Sequence, residues 1–152
     1  MRVFLETSAC IIYAFRASYS VRKRRRIRRR TFKDAFNDIM ISLVGFCRER
    51  NLKLVVTETV KEEALSGLSE AVRERCMGTR LVPEMVEPRC RLRLQDLFRK
   101  VETKRVFELE YIIPKVYQMY ETTLMSIPSF ADIKILAEAT KMASEEGKIL
   151  FI

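Results

Sequence analysis

The stretch Met1–Phe15, MRVFLETSACIIYAF, decides how the rest of the chain is read. Val3, Phe4 and Leu5 form an apolar run short enough for a buried strand. Glu6, Thr7 and Ser8 interrupt it with polar groups, and Ala9–Phe15 is apolar again and suits a helix returning over a sheet. An acid at the carboxyl end of a buried strand, beside two hydroxyls and a helix start, stands where open α/β sheets place their sites. Glu6 is therefore the first candidate, and later segments are judged by what they bring to it.

The remaining apolar runs extend the α/β pattern. Leu52–Val56 (LKLVV) reads as a second strand and Ile149–Ile152 (ILFI) as a third buried strand, where the given sequence ends. Between the first two, Thr7–Ala17 and Phe32–Arg50 read as helices, the latter closed by Arg48–Asn51. Helices joining strands at this distance predict right-handed parallel crossovers. After the second strand, helices are expected over Thr57–Leu65 and Leu68–Met77, with Thr59 and Glu62 at the spacing of a capping box. Pro83 and Pro88 are expected to bracket a loop, followed by a helix over Cys90–Val101 with Leu92, Leu94, Leu97, Phe98 and Val101 inward. Lys104–Leu124 reads as two helical pieces broken at Pro114, or alternatively as a strand over Val106–Ile113. A helix capped by Ser129 and stopped at Gly147 completes the pattern, with Ile133, Leu136, Ala137 and Thr140 on its inner face. The expected fold class is thus α/β, a three-layer α/β/α arrangement on a short central parallel sheet ending at the third strand, in one domain over residues 1–152.

Composition narrows the chemistry. The 152 residues include four cysteines and no histidine. Cys10, Cys47, Cys76 and Cys90 form no closely spaced pair, so reduced, buried thiols are expected rather than a zinc site. Without histidine, Ser-His-Asp and Cys-His catalysis and any histidine base are excluded. Only four glycines are present and none makes a GxGxxG loop after the first strand, which argues against a dinucleotide fold. No apolar run reaches the ~20 residues of a membrane span and no signal-peptide layout precedes the first strand, so a cytoplasmic protein is expected.

The net charge is +9, and it is local. Arg22, Lys23, Arg24, Arg25, Arg26, Arg28, Arg29 and Arg30 crowd into nine residues without an acid, and the rest of the chain is nearly neutral. This basic arm, within Ser18–Thr31, reads as a helix extension or a self-repelling segment. It can clamp an RNA backbone through counterion release, dock an acidic protein, or stay solvated. Arginine dominates, which favours bidentate phosphate contacts. Tyr19 and Phe32 flank the run and could stack on bases.

Two further acids fall at matching topological places. Glu63 lies early in the helix after the second strand, and Asp132 in the first turn of the helix before the third. Each also sits where an acid stabilises a helix N-terminus by ~0.3–1 kcal/mol, so a purely structural role stays open for both. Glu62 is accounted for by its expected cap, and Glu58 reads as a solvated loop acid. If Glu6, Glu63 and Asp132 converge at one sheet edge, the clustered carboxylates need protons or a cation. An all-oxygen set suits Mg²⁺ or Mn²⁺, which would hold a phosphate and activate a water for attack on phosphorus.

The order of these motifs resembles the PIN-domain family, the PilT N-terminal nuclease fold of VapC-like ribonucleases. VFLETSACIIYAF is similar to the family's opening strand, acid-Thr-Asn/Ser turn and helix. LVVTETVKEEAL resembles its second acidic segment at Glu63, and SFADIKILAEA its third at Asp132. The resemblance spans nearly the whole chain. It implies a Mg²⁺- or Mn²⁺-dependent endoribonuclease hydrolysing phosphodiesters. Glu6, Glu63 and Asp132 would hold the metal, with Thr7 and Ser8 supporting. It further implies RNA as substrate, membership of a toxin–antitoxin pair with a possible acidic antitoxin-like partner, and a possible homodimer. Two features depart from the family: Glu6 stands where Asp is usual, and no counterpart of the fourth acid or last strand occurs before Ile152. The alternatives are therefore a non-catalytic RNA-binding protein of the same fold, or a protein-interaction module built on the basic arm.

Overall fold

The structure, a computed structural model, describes residues 2–19, 45–47, 49–123, 128–147 and 149–152. The first strand, β1 (Arg2–Phe4), is short because Glu6 and Thr7 turn at once into helix α1 (Thr7–Tyr19). Glu6 starts that helix itself. Its carboxylate Oε1 accepts from the Ala9 N–H at 2.9 Å, and its carbonyl from the Cys10 N–H at 3.2 Å. Those two bonds satisfy orphan donors of the first turn, as an N-cap does.

Residues 45–47 and 49 are helical and Arg50 lies in the turn that follows; residues 32–44 and 48 of the expected Phe32–Arg50 helix lie outside the described residues, as do Arg22–Arg30. The expected stop is sharp. Asn51 adopts the left-handed conformation (φ 53°) and the Leu52 N–H reaches back to the Cys47 carbonyl at 2.8 Å, the closing bond of a Schellman motif. Strand β2 (Lys53–Thr57) follows, with Leu54, Val55, Val56 and Thr57 all buried. Four consecutive buried residues mean that both faces of the strand are covered, as in the interior of a parallel sheet.

Helices α2 (Glu58–Ser66) and α3 (Leu68–Cys76) pivot at Gly67, whose N–H bonds the Glu63 carbonyl at 2.8 Å. A Cβ at Gly67 would come within 3.2 Å of that same carbonyl oxygen. Helix α4 (Pro83–Lys100) corrects the expected loop between the two prolines. Pro83 opens the helix, where its missing N–H costs nothing, and Pro88 lies exposed within it. The inward set is Val86, Cys90, Leu94, Leu97 and Phe98, whereas Leu92, expected inward, is exposed.

A strand absent from the sequence reading follows at β3 (Glu102–Lys104). It pairs with β2 along Val55–Glu102, Val56–Thr103 and Thr57–Lys104. Helix α5 (Ile113–Thr123) contains Pro114 near its start, so this proline begins a helix rather than breaking one, and residues 105–109 are neither helix nor strand. Helix α6 (Phe130–Glu146) ends at Gly147 (φ 83°) as expected, and β4 (Ile149–Phe151) follows.

The result is an α/β fold on a four-stranded parallel sheet of order β3-β2-β1-β4, consistent with three layers. The sheet does not end at a third strand, because β3 precedes the C-terminal one. β4 is an edge strand with Leu150 and Phe151 partly exposed rather than a buried one. The main core joins β1, β2 and the inner faces of α1 to α4 and α6. A satellite of Leu109, Val116, Ile133 and Ala137 ties α5 to α6. All four cysteines are buried and free.

One contact in this scaffold titrates. The Glu87 carboxylate on α4 accepts from Arg91 at 2.8 Å and from Ser69 on α3 at 2.7 Å. The Arg91 and Ser69 hydrogen bonds hold its pKa below the ordinary carboxylate range. A lowered folded-state value means that the unfolded chain takes up this proton first as pH falls. The contact therefore contributes stability above about pH 4 and loses it as pH drops through the folded value. Thermal unfolding between pH 6 and 3 is expected to show a shallower fall in Tm for Glu87→Gln than for the unaltered chain.

Candidate functional site

The chain steps outward from β1 to β2 to β3, then returns to the other side of β1 as β4. Its direction of progression reverses between β1 and β4. In open parallel sheets, the crevice outside the carboxyl ends at such a reversal is where ligands bind. Glu6 stands there. Its N–H bonds the Ile152 carbonyl at 2.7 Å, the last link between β1 and the β4 segment. The neighbouring Leu5 N–H bonds Val55 on β2 at 2.9 Å.

Glu63 comes to the same corner from α2. The Thr7 hydroxyl donates to its Oε2 across 56 residues of sequence. The bond ties Glu63 to the residue next to Glu6. Ser8 is exposed. The negative charge of Glu6 reaches Cys10, where burial chiefly, and Glu6 secondarily, push the thiol upward, so this cysteine stays protonated.

Asp132 is placed differently. Its Oδ2 accepts from the Ser129 N–H at 3.1 Å and from the Ser129 hydroxyl at 2.7 Å, while its own N–H bonds Ser129 Oγ at 3.1 Å. This is a complete capping box on the exposed first turn of α6. The structure brings Glu6 and Glu63 together through Thr7 and commits Asp132 to its own helix end.

The expected Thr59–Glu62 box is not made. Thr57, fully buried, is the N-cap of α2 and its hydroxyl accepts from the Val60 N–H at 3.4 Å. Glu62 is exposed. Glu58, expected in a loop, begins the helix and pairs with Arg105 at 2.6 Å. Freed from capping, the Thr59 hydroxyl donates to Glu138 Oε1 at 2.6 Å.

Glu138 is the residue the sequence reading missed. It is 3% exposed, and its Oε2 is buried with no hydrogen-bond partner among the described residues. The expected inner face of α6 ran through Ile133, Leu136, Ala137 and Thr140, which turned Glu138 outward. In fact Ile135, Ala139 and Met142 pack into the main core, and Glu138 lies on that stripe, while Thr140 is exposed. The signal was present: Ile135, Glu138 or Ala139, and Met142 follow helical spacing as well as the expected set does.

The donors along this side of α2 are all oxygen: Glu63 with the Thr7 hydroxyl beside Glu6, and, one turn earlier, the Thr59 hydroxyl with Glu138. Among the described residues, none of the three acids is in an ion pair. No three acids or cysteines among those residues are grouped to hold one metal ion. A hard cation that takes one or two carboxylates and keeps its remaining waters fits this chemistry, and the unpartnered buried Oε2 of Glu138 fits it too. A closed all-protein cage of Glu6, Glu63 and Asp132 does not fit. No described helix is long and apolar enough to cross a membrane. Comparison with protein-family models, with curated proteins and with solved structures finds no match to this chain.

Proposed function

We propose that this chain is a PIN-like, metal-dependent endoribonuclease whose site is the Glu6–Thr7–Glu63 corner. The observation that carries the reading is the Thr7 bridge. It ties Glu63 of α2 to the residue next to Glu6 at the carboxyl edge of β1, beside the reversal of strand order. Glu6 and Glu63 would hold Mg²⁺ or Mn²⁺. Such an ion supplies Lewis-acid stabilisation of the charge that develops on a scissile phosphate. Thr7 fixes the Glu63 carboxylate by donating a hydrogen bond to it, so that one oxygen is spent on orientation. Glu6 is held likewise by the Ala9 N–H. The eight positive charges of Arg22–Arg30 supply backbone affinity for RNA, sequence-independent and steeply salt-dependent. Free, buried thiols accord with a reducing, cytoplasmic setting.

A second reading, an RNA-binding protein without cleavage, draws support from Asp132. The acid that the family resemblance assigns to the metal is occupied with its capping box. One experiment separates the two. Single-stranded RNA is incubated with the protein in Mn²⁺, in Mg²⁺ and in EDTA, beside Glu6→Gln and Glu63→Gln. Metal-dependent cleavage lost in both variants supports the nuclease. Cleavage persisting unchanged in both removes this site assignment. Salt-sensitive binding with intact RNA under all conditions selects the second reading.

A further inference from the structure

Glu138 has a chemistry that the site described so far does not use. It is buried on the same stripe of α6 as Ile135, Ala139 and Met142, and one hydroxyl is its sole described hydrogen-bond donor. An acid in such surroundings needs a partner for its second oxygen: a proton, a water or a cation. Its surroundings favour the cation. Thr59, which holds Oε1, lies one helical turn before Glu63 on α2, so the two share a face about 5–6 Å apart at Cβ. The Glu138 carboxylate is therefore presented to the α2 face that carries Glu63. Both acids are oriented by threonine hydroxyls, Thr59 and Thr7, and neither is in an ion pair among the described residues. Two carboxylates of like sign with no basic partner between them create a demand for positive charge.

We propose that Glu138 and Glu63 together bind a divalent cation of the Mg²⁺/Mn²⁺ class, with Glu138 supplying the buried carboxylate. Two carboxylates are enough, because these ions keep several waters rather than demanding a full protein cage. The inference rests on the reading of this corner as a metal centre, and not on RNA being its substrate. It moves the α6 contribution to the centre from Asp132 to a residue six positions later. A rise of 1.5 Å per residue puts Glu138 about 9 Å further along the helix than the capped end.

The test is Mn²⁺ binding by the full chain, followed by the loss of the free-ion EPR signal and by thermal unfolding in Mn²⁺ against EDTA. Mn²⁺ at a hundredfold excess over Kd is expected to raise Tm by about 5–10 °C. Glu138→Gln keeps the volume and the acceptor for Thr59. It is expected to weaken Mn²⁺ binding at least ~10-fold and to abolish the shift, as removal of a buried charged ligand should. In EDTA its Tm should match or exceed that of the unaltered chain, because a neutral amide no longer leaves a charge uncompensated. Glu62→Gln, an exposed neighbour, should bind Mn²⁺ normally. Unchanged affinity in Glu138→Gln, or no Mn²⁺ shift in the unaltered chain, overturns the proposal. If Glu138→Gln does not fold, Thr59→Val carries the test: weakened Mn²⁺ binding supports the site, and unchanged binding overturns it. RNA cleavage measured in parallel keeps the two ideas apart. Mn²⁺ binding that depends on Glu138 in a protein that never cuts RNA retires the nuclease and leaves the cation site. Metal-dependent cleavage with full affinity in Glu138→Gln does the reverse.

Discussion

Phe4→Ala is expected to destabilise the protein by about 3–5 kcal/mol, the usual cost of deleting a buried aromatic ring. Phe4 is fully buried at the end of β1, and its ring stacks on Phe151 of β4 at 5.3 Å between centroids and 13° between planes. It also precedes Glu6 by two residues, so it anchors the end of the strand from which the candidate site departs. Set against the ~5–15 kcal/mol that holds a typical domain together, this loss is roughly a fifth or more of the total. Phe151→Ala removes the other half of the stack, but Phe151 is 44% exposed on the edge strand, and the expected cost is nearer 1 kcal/mol. Urea unfolding of the two variants measures both values. Equal losses would mean that the stack, rather than burial in the core, holds β1 against β4.

The contrast between these two phenylalanines also explains what was legible in the sequence. Val3–Leu5 and Leu54–Val56 are interior strands, covered on both faces, and an unbroken apolar run announces such a strand directly. Glu102–Lys104 is an edge strand of Glu, Thr and Lys with no such run, and only its pairing with β2 defines it. Ile149–Phe151 has the apolar run but lies at the other edge, so its existence could be read and its burial could not. Pro83 and Pro88 suggested a loop because proline is disfavoured inside helices. The apolar spacing of Val86, Cys90, Leu94 and Leu97 outweighed that preference.

The site was legible to the same degree. Glu6 and Glu63 could be placed at one sheet edge because their positions follow from strand ends, which hydrophobic runs mark well. Thr57, Thr59 and Glu138 could not be assigned, because each depends on which hydroxyl caps α2 and which face of α6 meets the sheet. The capping pattern favoured Thr59 and Glu62. Thr57, completely buried at the end of β2, took the cap instead, and the released Thr59 hydroxyl found a carboxylate 79 residues away. Local spacing proposes such pairs, and tertiary packing chooses among them.

Asp132 and Glu63 looked alike in the sequence, each an acid early in a helix, and the structure predicts opposite consequences for removing their charge. Asp132→Asn weakens a capping box on an exposed turn and is expected to lower stability by about 0.5–2 kcal/mol. RNA cleavage should change by no more than about threefold, under 1 kcal/mol of barrier. Glu63→Gln leaves the helix intact, because the helical role of Glu63 is carried by its backbone carbonyl, which bonds the Gly67 N–H at 2.8 Å. Its carboxylate accepts from the Thr7 hydroxyl. Cleavage should therefore fall by ~100-fold or more, since metal assistance contributes several kcal/mol at 1.36 kcal/mol per decade. Thr7→Val should lie between the two, since it releases the Glu63 carboxylate without removing it. In a double-mutant cycle with Glu63→Gln, the Thr7 and Glu63 effects should be non-additive by about 0.5–3 kcal/mol. Strict additivity would mean that the hydroxyl and the carboxylate act independently, and the Thr7 bridge would then explain neither the placement nor the chemistry of Glu63.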